Sequence, residues 1–220
     1  MTELTFQDLK DFQSKEHYLL DTRRTTEFAS GFIAGSIFLP VDKNFEKRFK
    51  KFFTKNIPLI IIASDHRKVN ELEPFFDGIQ QPELKGFYLW NDKEVEFYSP
   101  RLNMIIEVEA DEFLMDMRFD EKILPVDLRS WKEYEEEHLQ KSKSLPLDEL
   151  ADIVQIAALE EQSNIYFYGE DGETSLTAAS LLKKEGMENV RIVSGGWPAI
   201  SHDPYFKMIR LSARNKKDMR

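Results

Sequence analysis

One pattern runs through this chain twice. Leu20-Asp21-Thr22-Arg23 is matched 106 positions later by Val126-Asp127-Leu128-Arg129. At the same spacing Glu27-Phe28 meets Glu133-Tyr134, Phe32-Ile33 meets His138-Leu139, Ser36 meets Ser142, and Leu39-Pro40 meets Leu145-Pro146. The apolar run Leu59–Ile62 then falls on Ile165–Tyr168 without a gap. A period of this size is a domain length, well beyond the ~20–45 residues of a solenoid repeat, so the chain predicts two copies of one fold. Its 220 residues, 41% of them apolar, suffice for two cores.

Each copy alternates strand and helix patterns. In the first, Thr5-Phe6-Gln7-Asp8 is a capping-box sequence opening a helix whose apolar face is Phe6, Leu9 and Phe12. Tyr18–Leu20 reads as a strand, Glu27–Phe32 as a short helix or turn, and Ile37–Leu39 as a second strand. Phe45, Phe49 and Phe52-Phe53 form an aromatic stripe at helical spacing, which is core. Ile57–Ala63 is near-continuously apolar, as a buried parallel strand should be. A helix over Asn70–Gly78 and the segment Leu84–Trp90 follow, and Lys93–Pro100 closes the copy. The second copy opens with Ile105–Glu107 and a helix from about Asp111 to Phe119. The expected fold is α/β, two tandem domains each with a parallel β-sheet flanked by α-helices. The expected boundaries are residues 1–99 and 100–205, with Pro100 at the seam and 206–220 a solvated basic tail carrying Lys207, Arg210, Arg214, Lys216, Lys217 and Arg220.

The stretch from Asn164 to Gly186 is strand, polar loop, helix. Its loop, Gly169-Glu170-Asp171-Gly172-Glu173-Thr174-Ser175, lies where backbone N–H groups and the positive end of a helix converge. Gly169 and Gly172 permit the left-handed conformations of an anion-binding nest. Against that, Glu170, Asp171 and Glu173 repel an anion and no Arg or Lys compensates. The loop therefore reads as a structural relic, with weak binding of a small oxyanion or persulfide as the alternative. The equivalent first loop, Ala63-Ser64-Asp65-His66-Arg67-Lys68-Val69, carries positive charge but no glycine, so a bound anion is expected over Gly169–Ser175 instead.

Composition removes most chemistries. The absence of cysteine excludes disulfides, thiolate metal sites and thiol nucleophiles together. His17, His66, His138 and His202 lack the spacing of a zinc site, so no metal or cofactor is assigned. Ser64 and Ser175 are conceivable nucleophiles, but only Ser64 has a histidine nearby in sequence, and His66 reads as a solvated loop residue. A net charge of −10 argues against a nucleic-acid or acidic-membrane surface. Met1–Asp11 is too polar for a signal peptide and the apolar run Leu59–Ala63 far too short for a span, so a cytoplasmic location is expected.

These words together resemble the rhodanese family. Its active loop reads Cys-x-x-Gly-x-Arg-Ser between a central strand and a helix. Gly172 and Ser175 keep their places in that motif, while Gly169 stands for the cysteine and Thr174 for the arginine. The flanking motifs occur in order as Val126–Arg129, Glu133–Pro146 and Val193–Ile200, and His138 takes the place of a histidine that the resemblance makes structural. The resemblance implies sulfur transfer through a persulfide on the loop cysteine, and neither Gly169 nor Ala63 can form one. Phosphoryl transfer, as in the phosphatases of this fold, needs the same cysteine. In the first copy, Glu27–Phe53 with Gly31-Phe32-Ile33-Ala34-Gly35-Ser36 at its core resembles the first of two rhodanese domains that follow a metallo-β-lactamase-fold domain in bacterial hydrolases and persulfide dioxygenases. The implied role is a non-catalytic module that positions or regulates such a hydrolase, fused or as a partner. The alternative is a sulfurtransferase-type enzyme that borrows a partner's cysteine or uses an unrecognised nucleophile.

Overall fold

The computed structural model describes residues 1–13, 16–98, 102–151, 156, 159 and 164–210. The seam expected at Pro100 and the basic residues from Arg214 onward lie outside them. The chain divides into two compact units, Met1–Met104 with Lys183–Glu185, and Ile105–Leu182 with Gly186–Arg220.

The first unit runs α1 (Phe6–Gln13), β1 (Tyr18–Asp21), α2 (Thr25–Ser30), β2 (Ser36–Phe38), α3 (Phe45–Phe52), β3 (Leu59–Ala63), α4 (His66–Phe76), β4 (Leu84–Leu89) and α5 (Asp92–Tyr98). Its sheet has the order β2-β1-β3-β4, and all three pairings are parallel. The Thr5 and Asp8 side chains accept each other's backbone N–H at 3.2 and 2.8 Å, which starts α1 as the capping box requires. Leu59–Ala63 is fully buried, consistent with a central parallel strand covered on both faces. The aromatic stripe of α3 is core: Phe49 stacks on Phe53 at 4.7 Å and meets Phe75 and Phe76 edge-on at 5.2 Å. Outside β4 the chain's first residues add one more rung. Leu4 N–H donates to the Phe87 carbonyl and Phe87 N–H to that of Thr2, at 2.8 and 2.9 Å.

The second unit comprises β5 (Ile106–Val108), α6 (Ala110–Phe119), β6 (Ile123–Asp127), α7 (Trp131–Glu136), β7 (Glu137–Leu139), β8 (Lys143–Ser144), a 3₁₀ turn at Leu147–Ala151, β9 (Asn164–Tyr168), α8 (Gly172–Lys184), β10 (Val190–Val193), α9 (Gly196–His202) and β11 (Met208–Arg210). The order β5-β10-β9-β6-β8 is again wholly parallel. Both units are thus α/β, with parallel sheets flanked by helices.

Three features differ from the sequence reading. Helix α4 begins at His66, four residues earlier than expected, because the Asp65 carboxylate caps it. Helix α8 begins at Gly172 instead of Ser175. The fold also continues past Tyr205: Phe206 is buried, and Met208–Arg210 pairs antiparallel with Glu137–Leu139, so the body of the unit includes Arg210. An amphipathic three-residue strand inside a basic stretch leaves too little periodicity to be seen in sequence.

Candidate functional site

Both units place an Asp–Arg pair at the carboxyl end of the strand beside the loop-bearing strand. In the first, Arg23 grips Asp21 through Nε and Nη2 at 2.9–3.1 Å and donates from Nη2 to the Gly31 carbonyl at 2.8 Å. In the second, Arg129 grips Asp127 at 2.7–3.3 Å and donates to the Glu137 carbonyl at 2.8 Å. All four residues are buried. Burial pushes the Asp21 carboxyl up, and Arg23 opposes that shift. Each guanidinium also lies over an indole, Arg23 over Trp90 at 3.4 Å and Arg129 over Trp197 at 3.5 Å. Nε and Nη2 of each arginine and both carboxylate oxygens of each aspartate are thereby bonded within the unit.

The second loop is shorter than its motif suggests, because Gly172, Glu173, Thr174 and Ser175 belong to the first turn of α8 and only Gly169, Glu170 and Asp171 remain as loop. Asp171 turns inward on the helix it precedes: its carboxylate accepts the Thr174 N–H at 2.8 Å. The Ser175 hydroxyl donates to the Asp171 carbonyl at 3.4 Å. An internal carboxylate therefore holds a helix-start donor that an external anion would need.

The two glycines do not act as expected. Neither Gly169 nor Gly172 adopts a positive φ, so no left-handed nest forms there. At Gly169 the constraint is space. A Cβ on that residue would lie 3.1 Å from Thr174 Cγ2 and 3.3 Å from Thr174 Cβ. Thr174, which stands for the motif arginine, thus packs against the position that stands for the motif cysteine. The two departures from the motif are one packing arrangement.

Sequence reasoning missed the glycines that do shape the loop. Gly195 and Gly196, the N-cap and first residue of α9, have φ of +69° and +55°. A Cβ at Gly196 would come within 2.5 Å of the Gly169 carbonyl oxygen. That close approach lets the Trp197 N–H donate to the same oxygen at 2.7 Å. In the first unit the Trp90 N–H donates to the Ala63 carbonyl at 2.9 Å. The tryptophans of the two copies therefore correspond, whereas the glycines do not: Gly86 lies within β4, where a Cβ would meet the Thr2 carbonyl at 2.3 Å.

The first loop contracts in the same way, to Ser64 and Asp65, with His66, Arg67, Lys68 and Val69 inside α4 and Ala63 ending β3. Asp65 caps α4 twice, accepting from Arg67 N–H at 2.8 Å and Lys68 N–H at 3.1 Å. The Arg67 side chain, 3.0 Å from that carboxylate, holds it below the usual range, helped by the Lys68 amide. Asp65 and Asp171 are 106 positions apart, so the two loops share one self-capping carboxylate. That aspartate was the legible signal, overlooked because it is absent from the motif. His66 reaches Glu3 at 3.7 Å and meets the Phe87 ring edge-on, and Val69 is core. Ser64 lines three adjoining clefts of the first unit, one of them 370 Å³ and bordered by Arg23, Gly31, Trp90 and Asp92.

His138 is stacked on Tyr134 at 3.9 Å, with Nδ1 2.7 Å from the Tyr134 carbonyl. Among the described residues no helix is long and apolar enough to cross a membrane, and no three His, Asp or Glu side chains are grouped to hold a metal ion.

Residues 110–203 match the rhodanese-like domain family. No curated protein matches the chain. Among solved structures, the rhodanese-like domain of the Alr3790 protein from Anabaena sp. is 24% identical over 49% of this chain and 81% of that one, with a TM-score of 0.44. EanB in complex with hercynine is 25% identical over 50% of this chain and 29% of its own, TM-score 0.44. Thiosulfate sulfurtransferase from Pseudomonas aeruginosa is 17% identical, covering 90% of this chain and 45% of its own, TM-score 0.37. The residues that match the rhodanese-like domain thus lie in the second half of the chain.

Proposed function

We propose that the chain is a tandem rhodanese-like module without sulfur-transfer chemistry of its own, the first unit being a further diverged copy of the domain at residues 110–203. The observation that carries this reading is the Asp171 carboxylate on the Thr174 N–H, beside a Gly169 that has no side chain. A sulfur-transfer loop needs a nucleophile to carry the sulfane and free donors to stabilise the anion. Here the nucleophile is missing and a donor is spent internally, and the Asp65 caps repeat the arrangement in the other loop.

Purified chain mixed with thiosulfate and cyanide is expected to form thiocyanate at the background rate, and turnover by the unmodified chain would overturn the proposal. Gly169→Cys alone is expected to stay inactive, because its Cβ would press on Thr174. Gly169→Cys with Thr174→Arg restores the motif residues and removes the β-branch of Thr174, which makes the nearer of the two contacts.

The setting we propose is a metallo-β-lactamase-fold hydrolase handling sulfur compounds, fused to the module or bound by it, on the resemblance of Glu27–Phe53 to the first rhodanese domain of such proteins. Affinity capture of the chain at native expression level is expected to retain a metallohydrolase. Recovery of none, with no such domain in the same reading frame, removes this setting and leaves the inactive module standing.

A further inference from the structure

The two units differ in polarity at four equivalent positions. In the first, Phe28 and Phe32 stack at 4.2 Å inside the core, with Thr25 opening α2 and the backbone of Asn103 pairing antiparallel with that of Phe32. The residues 106 positions on are Tyr134, His138, Trp131 and Ile209. The arrangement is kept: Tyr134 and His138 stack at 3.9 Å, Trp131 opens α7, and Ile209 pairs antiparallel with His138. The polarity is exchanged. Tyr134 and His138 carry polar atoms and are only half-buried, whereas Trp131 and Ile209 are 51% and 46% exposed.

These four side chains adjoin. Cross-strand partners share a face, which puts Ile209 beside His138; His138 lies on Tyr134, and the Tyr134 ring meets Trp131 edge-on at 6.3 Å. A face that meets only water has no use for a tryptophan and an isoleucine where the first unit manages with threonine and asparagine, so this strip points to contact with another molecule.

The strip is also acidic. Trp131 donates from Nε1 to Glu149 at 2.6 Å. Glu135, one turn along α7 on the same side as Trp131, is exposed and has no hydrogen-bond or ion-pair partner among the described residues. Twice inside this chain an indole and a carboxylate bind one guanidinium: Trp90 and Asp21 bind Arg23, and Trp197 and Asp127 bind Arg129. Trp131 with Glu135 and Glu149 presents the indole and the carboxylates at the surface, with no guanidinium over that indole among the described residues.

We infer that the strip of Trp131, Tyr134, His138 and Ile209 docks a basic segment of a partner protein, an arginine of which lies on the exposed indole of Trp131 and pairs with Glu135. Aliphatic side chains of the same segment cover His138 and Ile209. The net charge of −10 steers such a segment toward the chain. The inference does not depend on the partner being a metallohydrolase.

A short peptide of alternating arginine and leucine, titrated into the folded chain and followed by amide and indole N–H shifts, tests this. Saturable shifts are expected at the Trp131 indole and at the Tyr134, His138 and Ile209 amides. Trp131→Ala and Glu135→Lys should each weaken binding about tenfold. Glu112→Lys, the same change of charge on an exposed position of α6, should leave it within about twofold. Equal weakening by Glu112→Lys and Glu135→Lys would show attraction to net charge alone and overturn the inference, as would a peptide that fails to bind or shifts other residues instead. Sedimentation of the free chain, and titration of a chain ending at Arg210, separate the other occupants. A dimer that Trp131→Ala dissolves makes a second copy the occupant, and peptide binding that appears only without residues 211–220 makes it the chain's own basic end; either result overturns the inference.

Discussion

The Arg129 guanidinium lies 3.5 Å from the centre of the Trp197 indole while its Nε and Nη2 donate to Asp127 and Nη2 also donates to the Glu137 carbonyl. The same geometry recurs as Arg23 over Trp90. One arginine thereby ties the end of β6 to the start of β7 and to the first turn of α9. Arg129→Ala should destabilise the chain by about 3–5 kcal/mol, because Asp127 would be left charged and buried. Asp127→Asn with Arg129→Met should cost less than the single change. Urea unfolding of the three variants checks the ordering.

The Asp171 cap predicts how the second loop meets anions. Titrating sulfate into the wild-type chain should leave the amides of Gly169–Ser175 nearly unmoved. In Asp171→Ala the Thr174 N–H is released, and sulfate should then shift the amides of Gly172–Ser175, at a cost of about 1 kcal/mol in stability. Saturable shifts in the wild type would show that the carboxylate does not block the site. Shifts confined to Ala63–Val69 would move attention to the clefts around Ser64.

Asp65 gives a pH signature. Its carboxyl is held below the ordinary 3.8 chiefly by the Arg67 side chain, so its capping is complete above that value and is lost as pH falls through the lower folded pKa. The Arg67 and Lys68 amides should therefore titrate together below pH 3.8. Asp65→Asn should abolish that step. Titration of either amide near neutral pH would contradict the assignment.

Glycine substitutions separate close approach from idle space. Gly196→Ala puts a Cβ 2.5 Å from the Gly169 oxygen at φ +55°, and should cost about 1–3 kcal/mol or more. Gly172→Ala meets nothing within 4 Å and lies in the first turn of α8 with φ outside the left-handed region, so it should stabilise by about 0.4–1 kcal/mol. Thermal melts of the two variants should move in opposite directions.

The repeat made the fold legible because buried parallel strands and the Asp-x-Arg pairs are dictated locally: Leu59–Ala63 and Asn164–Tyr168 are apolar where the sheets require it. The loops were less legible. A motif of seven residues draws the eye to Gly169 and Thr174 by what they replace, yet their real relation is steric and crosses a helical turn. Asp65 and Asp171 declare their role only once the helix starts are known, since an aspartate in a polar loop looks like any solvated charge. Ser144 was invisible for another reason: its burial depends on pairing across neighbouring strands.

The rung that Thr2–Leu4 adds outside β4 has a consequence for how the chain behaves in company. A row of free backbone donors and acceptors along β4 would be a template for other molecules' strands, and the sheet behind it is rich in isoleucine and phenylalanine. Three residues of the chain's own backbone occupy that template first. Trimming Thr2–Leu4 would thus remove the packing of Leu4 against the core and also expose an adhesive edge, leaving β4 open to self-association.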